Sequence, residues 1–203
     1  MNRYRRGVHR VRDLVADNPP ALIHCAWIGG IPGVPWWRVR DESGGQLVEQ
    51  TTHVVDLVRY IAGEAESIYA LGAKGFVTDV PGYTVEDASS AVVRMRSGAV
   101  ANIMSSCASR IRAGGVHLTL ICRDLFVEFS GWNQDVVIKK SALEEEIIKG
   151  EENVFEIEDR AFLDAVKSSD PSTVRCTYAD GYETLRLCLA ANESMDTGKA
   201  VIL

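Results

Sequence analysis

The stretch Ala88-Ser89-Ser90-Ala91-Val92-Val93-Arg94-Met95-Arg96-Ser97-Gly98-Ala99-Val100-Ala101-Asn102-Ile103-Met104-Ser105-Ser106 decides the fold. Its two runs, Ala88 to Met95 and Ala99 to Ser106, are short and rich in apolar and β-branched residues, and Arg96-Ser97-Gly98 between them is a turn signal. Strands joined by so short a turn pair antiparallel, because a parallel pair needs a crossover of about a dozen residues.

The same texture continues on both sides. Ser67 to Ala73, Val116 to Arg123, Leu125 to Ser130 and Val136 to Lys140 read as further strands, separated by turn signals such as Arg123-Asp124. The acidic run Glu144-Glu145-Glu146 reads as a solvated strand or loop edge. Toward the start, Val8, Val11, Leu14 and Val15 form a helical stripe over Gly7 to Asn18, stopped by Pro19-Pro20. Ala21 to Ile28 reads as a strand, and a Gly/Pro loop from Gly29 to Gly45 carries Trp36 and Trp37, which suit a functional loop or packing on a neighbouring core. Gln46 to Ala62 is a helix with Leu47, Val54, Val58 and Ile61 on one face and Gly63 as its stop. Two more helices, Glu158 to Ser168 and Tyr178 to Thr197, close the chain. The expectation is one α+β domain over residues 1–203, a largely antiparallel open sheet with helices packed on one face.

Composition narrows the function. A net charge of -6 and only one short basic group, Arg3, Arg5 and Arg6, argue against a nucleic-acid partner. Five widely spaced cysteines without a C-x-x-C pair suggest neither a zinc site nor a disulfide framework, and fit a reducing, cytoplasmic setting. No apolar run approaches the roughly 20 residues that span a bilayer, so no membrane partner is expected. The opening Met1-Asn2-Arg3-Tyr4-Arg5-Arg6 lacks the apolar stretch of a signal peptide.

One helix could carry chemistry. Glu49, His53, Asp56 and Tyr60 share a polar stripe about 120° from the apolar one, at about 100° per residue. A histidine flanked by carboxylates suits general acid/base work, because it titrates near neutrality and a carboxylate stabilises its protonated form. His53 is therefore the candidate proton acceptor. The same spacing also fits an ordinary helix surface. A metal reading lacks a third ligand-bearing segment, so no metal is expected. His9, His24 and His117 lie in apolar elements and read as structural. The chain contains no G-x-G-x-x-G that opens a helix, no P-loop and no G-x-S-x-G, so it carries no phosphate cradle or hydrolase elbow of its own.

Three groups of residues carry a resemblance. Trp36-Trp37-Arg38, the run Ser43-Gly44-Gly45-Gln46-Leu47-Val48-Glu49-Gln50-Thr51-Thr52-His53-Val54-Val55-Asp56-Leu57 and Gly63-Glu64 form the first. Val85-Glu86-Asp87-Ala88-Ser89 with Ser97-Gly98-Ala99-Val100 form the second, and Ala190-Ala191-Asn192-Glu193-Ser194 to Thr197-Gly198-Lys199 the third. Together the chain resembles the C-terminal domain of the glucose-fructose oxidoreductase / inositol dehydrogenase / MocA family over nearly its whole length. Asn2-Arg3-Tyr4 is similar to the segment just after the family's Rossmann domain, which, with its Glu-Lys-Pro lysine, is expected to be missing from these residues.

The resemblance implies a role for each candidate residue. His53 removes a hydroxyl proton while hydride passes to NAD or NADP, and Glu49, where the family often has aspartate, orients a sugar or polyol. Asp56 supports the helix at the substrate. Trp37 and Arg38 lie near the cleft, and Asn2 and Arg3 near the cofactor. The resemblance further implies a homo-oligomer through the open sheet face and an isolated chain without turnover. A non-catalytic sugar-binding or dimerisation module, and an enzyme that eliminates or cleaves through transient oxidation, are the alternatives.

Overall fold

The computed structural model describes residues 1–111 and 114–203. Its strands are β1 Leu22–Ile28, β2 Ala65–Ala73, β3 Ala88–Met95, β4 Val100–Ser106, β5 Gly115–Ile121, β6 Phe126–Ser130, β7 Asp135–Lys139, β8 Glu145–Ile148 and β9 Val201–Ile202. They form one nine-stranded sheet in the order β8-β7-β6-β5-β1-β4-β3-β2-β9. The hairpin that decides the fold pairs as expected, from Ala88 opposite Ser106 to Arg94 opposite Val100. Gly98 closes its turn at φ +89°, a conformation that glycine adopts without steric cost. The sheet is mostly antiparallel, with β1 and β4 as a parallel pair. That exception comes from connectivity: a long crossover separates β1 from β4, and it carries the helix on which the candidate site sits.

Helices α1 Arg6–Asp17, α2 Arg40–Ser43, α3 Thr52–Ala62, α4 Val154–Ser168 and α5 Tyr178–Thr197 complete the chain. Alternate strand residues, among them Ile23, Cys25, Ile68, Val93, Ile103, Leu118, Leu120 and Phe129, point to one side and are fully buried beneath α1, α3 and α5. Each such aliphatic or aromatic side chain contributes about 1.5–3 kcal/mol on burial. Gly7 lets α1 approach β7, since a Cβ there would meet Val136 Cγ2 at 2.5 Å. The opposite face of the sheet leaves Leu22, Tyr69, Val92, Val100 and Ile121 exposed.

The acidic run expected at a strand or loop edge opens β8, an edge strand on which Glu145 pairs with Lys139 at 3.1 Å. Charges on an edge strand discourage pairing with a foreign strand. α4 starts at Val154, ahead of the expected Glu158, because its first turn buries Val154. It buries only Val154 and Ala165 along its length. No helix among the described residues is long and apolar enough to cross a membrane.

Candidate functional site

The helix that carries His53 does not begin as a regular α-helix. Leu47–Thr51 forms a π-helical turn that runs directly into α3. A π turn adds a residue per turn and so rotates the side chains before it relative to those after it, and such turns recur at functional sites. The turn is held from outside by Glu86, which is 1 % exposed and whose Oε1 accepts the Gln46 N–H at 3.1 Å. Gly45, at φ +88°, lets that carboxylate approach, since a Cβ there would lie 2.8 Å from Glu86 Oε2.

Beyond the turn, Thr52, His53 and Asp56 face a cleft of about 480 Å³. Its other walls come from Met1, Asn2, Arg3 and Tyr4 at the start of the chain, from Glu158, Asp159 and Phe162 of α4, and from the segment between α4 and the first turns of α5. The His53 ring lies 5.7 Å from that of Trp27, which meets Trp132 edge-on at 5.1 Å. Burial lowers the His53 pKa below its ordinary value, and the nearby amino terminus adds to that effect, while Asp56 and Glu158 oppose it. Burial thus favours the neutral form of the imidazole.

The stability consequence has a definite sign. With the folded-state pKa depressed, the unfolded chain binds the proton first, so this group stabilises the fold above the ordinary histidine value and the contribution is lost as pH falls through the folded value. An NMR titration of His53 is expected to show a midpoint below about 6.5, the ordinary imidazole value. A midpoint above it would mean that the two carboxylates outweigh burial.

Asp56 accepts three hydrogen bonds from two residues. Arg3 clamps it with Nε to Oδ2 at 2.9 Å and Nη2 to Oδ1 at 2.6 Å, and the Thr184 hydroxyl donates to Oδ1 at 2.9 Å. Arg3 Nη1 donates to the Arg175 carbonyl at 3.0 Å and to Asp180. Burial opposes the charge on Arg3, but hydrogen bonds to Asp56 and Asp180 outweigh it and hold its pKa above the ordinary arginine value. Arg59 extends the network, donating to Glu64 at 2.7 Å and to the Thr184 hydroxyl at 2.6 Å. Every nitrogen of the Arg3 guanidinium therefore donates within the protein.

The structure thus brings Asn2, Arg3, His53 and Asp56 to one cleft. Glu49 lies in the π turn and does not line that cleft, because the widened turn breaks the regular spacing on which the polar stripe was drawn. Trp37, 2 % exposed, packs with Val85 and Cys107 in a separate small cluster, and its neighbour Arg38 likewise does not line the cleft. Sequence reasoning missed Glu158, Asp159, Phe162 and Trp27. Each comes from an element distant in the chain.

The Gly44-Gly45 pair is the glycine turn that leads into the candidate helix, and its first turn is already capped by the Glu86 carboxylate. A pyrophosphate needs free N–H groups and positive potential at a helix start, so these residues do not fit the phosphates of a dinucleotide.

A profile of the GFO/IDH/MocA C-terminal domain matches residues 10–127. No curated protein matches the chain by sequence. Among solved structures, a Thermotoga maritima protein described as an oxidoreductase superposes with TM-score 0.82 at 17% identity, over 100% of this chain and 62% of its own. Levoglucosan dehydrogenase in complex with NADH and L-sorbose gives 0.80 at 16%, over 97% of this chain and 61% of its own. WlbA dehydrogenase from Bordetella pertussis, in complex with NADH and UDP-GlcNAcA, gives 0.76 at 19%, over 100% and 61%. The chain thus spans about three fifths of the length of the structures it matches. With the profile covering more than half of its residues and the sheet superposing throughout, the chain belongs to the GFO/IDH/MocA C-terminal domain family.

Proposed function

We propose that this chain is the substrate-side domain of an NAD(P)-dependent oxidoreductase acting on a sugar, polyol or related hydroxy compound, with His53 taking the hydroxyl proton. The observation that carries the reading is a histidine whose neutral form burial favours, on the wall of a cleft sized for a small ligand. When bound by a dinucleotide-binding domain, the nicotinamide supplies the hydride acceptor. This chain's residues bind and orient the hydroxy compound, exclude water, and accept its proton on the imidazole. Asp56 acts as a positioning residue, locked by Arg3 and Thr184. Asn2 and Arg3, proposed near the cofactor, are both buried and engaged within the protein, Asn2 Oδ1 accepting from Arg5 Nε at 3.0 Å and Arg3 gripping Asp56. Glu49, Trp37 and Arg38 are not needed for this reading. The exposed apolar residues on the open sheet face supply a surface for a homo-oligomer, and a cytoplasmic setting suits the free cysteines.

The alternative reading is a non-catalytic sugar-binding module with the same fold. Turnover separates the two. With NAD or NADP and a panel of polyols, this chain alone is expected to form no reduced nicotinamide, whereas the two-domain enzyme does so on at least one sugar or polyol. Histidine-dependent reduction by the chain alone would overturn the division of labour. Silence of the two-domain protein across the panel would favour the binding module.

A further inference from the structure

The imidazole of His53 is the first of three rings in contact. Trp27, near the end of β1, lies 5.7 Å from it with the planes tilted by 33°, and Trp132, in the turn between β6 and β7, meets Trp27 at 5.1 Å and 77°. Register explains the placement. Trp27 stands on the helix-covered side of β1, opposite Ser105 of β4 and Val116 of β5, and the Ser105 hydroxyl bonds that of Thr51 at 2.5 Å, just ahead of α3. β6 pairs with β5 as far as Ser130 opposite His117, so the turn that follows brings Trp132 alongside Trp27.

Trp132 is 61 % exposed, yet its turn is held firmly. Gly131 and Gln134 both adopt positive φ, at +72° and +55°, and the buried Gln134 donates its backbone N–H at 3.2 Å and its side-chain amide at 3.3 Å to the Gly131 carbonyl. A residue other than glycine is uncommon in that conformation and persists where its surroundings fix it. Arg5, 2 % exposed, ties the turn to the opening segment, with Nη2 donating to the Trp132 carbonyl at 3.4 Å and Nε to Asn2 Oδ1 at 3.0 Å. Asn2 lines the His53 cleft, so one buried side chain joins the tryptophan corner to that cleft.

Two indoles near a right angle make a floor and a side wall, on which the C–H face of a sugar or the face of an aromatic ring can stack. A reacting hydroxyl must come within about 2.6–3.2 Å of the imidazole. That places the reacting ring against His53 and Trp27 and leaves Trp132 for whatever is joined to it. We infer that Trp27 and Trp132 form a stacking subsite for a second ring, so that the substrate is a glycoside, a sugar carrying a further sugar or aromatic ring, and not a free monosaccharide. The inference rests on His53 marking the substrate site, as proposed above, and names the substrate class. It depends on rings that this chain itself supplies.

Aromatic stacking contributes about two- to tenfold beyond simple burial of area, so the expected preference is about tenfold once burial is included. The test uses the two-domain enzyme and substrates that differ only beyond the anomeric oxygen. For glucose, galactose and mannose, kcat/KM is measured on the free sugar, the methyl glycoside, the phenyl glycoside and the matching disaccharide. For at least one sugar, the phenyl glycoside or the disaccharide is expected to exceed the methyl glycoside about tenfold, chiefly through KM. Trp132→Ala should remove that preference and Trp132→Phe should keep most of it, a rescue that depends on the ring itself, with the melting temperature as a check on folding. A preference that survives Trp132→Ala, or equal kcat/KM on the methyl and two-ring forms, would overturn the subsite and leave the proposed function standing. So would oxidation of the free sugars alone, since the anomeric hydroxyl would then be the reacting group, and so would a Trp132→Ala variant that loses methyl and phenyl glycosides in equal measure. If no form of any sugar is oxidised, the proposed function falls, and the subsite with it.

Discussion

Replacing His53 by asparagine in the two-domain enzyme is expected to lower kcat by about 10²–10⁴-fold while changing KM for the hydroxy compound little. The range is that of a lost general base. Asparagine keeps a polar, similarly sized side chain on α3 but accepts no proton at neutral pH. The ring of Trp27 and the cleft walls from α4 remain in place, so ligand affinity is largely preserved. Because burial depresses the His53 pKa, the wild-type rate should fall on the acid side with a limb below the ordinary histidine value, and that limb should vanish in the variant. A variant that raises KM with kcat intact would make His53 a binding residue only. A variant with wild-type kinetics would remove it from the site. Steady-state assays across pH, with the melting temperature as a control for folding, decide among these outcomes.

The sheet was readable because its signals are local. Alternation along β3 and β4, a glycine turn between them and β-branched runs on either side each depend on a few neighbouring residues, and the observed register reproduces them. The parallel pairing of β1 with β4 was not readable, since it arises from where a long crossover returns, which no short window records. The site divides in the same way. His53 and Asp56 could be placed on one face because regular helical spacing holds from Thr52 onward. Glu49 could not, because the π turn depends on a buried carboxylate that arrives from the segment before β3. Trp37 and Arg38 share a motif with the site, but Trp37 folds into a small core with Val85 and Cys107, where packing outweighs sequence proximity. The α4 wall with Glu158 and Asp159 is brought to His53 only by the tertiary fold, across about half the chain.

Arg3→Met is expected to destabilise the domain by about 2–4 kcal/mol, the cost of leaving partly buried charges without their partner. Arg3 is 4 % exposed, and its removal strands Asp56 and Asp180 together. Thr184 still donates to Asp56 and Arg59 still reaches Asp180 at 3.2 Å, which keeps the loss below that of a fully isolated buried pair. For a chain of this length each kcal/mol moves the melting temperature by about 2–4 °C, which makes the expected fall roughly 5–15 °C. The pH dependence identifies the cause. The Arg3 hydrogen bond, with help from Arg59, holds the Asp180 pKa below the ordinary carboxylate value, so this stabilisation is present above that value and is lost as pH falls through the lower folded one. Wild type and variant should therefore converge in stability in acid and differ most near neutrality. Arg3→Lys should lie between them, because an ammonium does not reproduce the two-pronged grip on Asp56. The opposite pattern, unchanged melting with a raised KM for NAD or NADP in the two-domain enzyme, would return Arg3 to the cofactor role that the family resemblance implies and would leave another residue to hold the opening segment against α3.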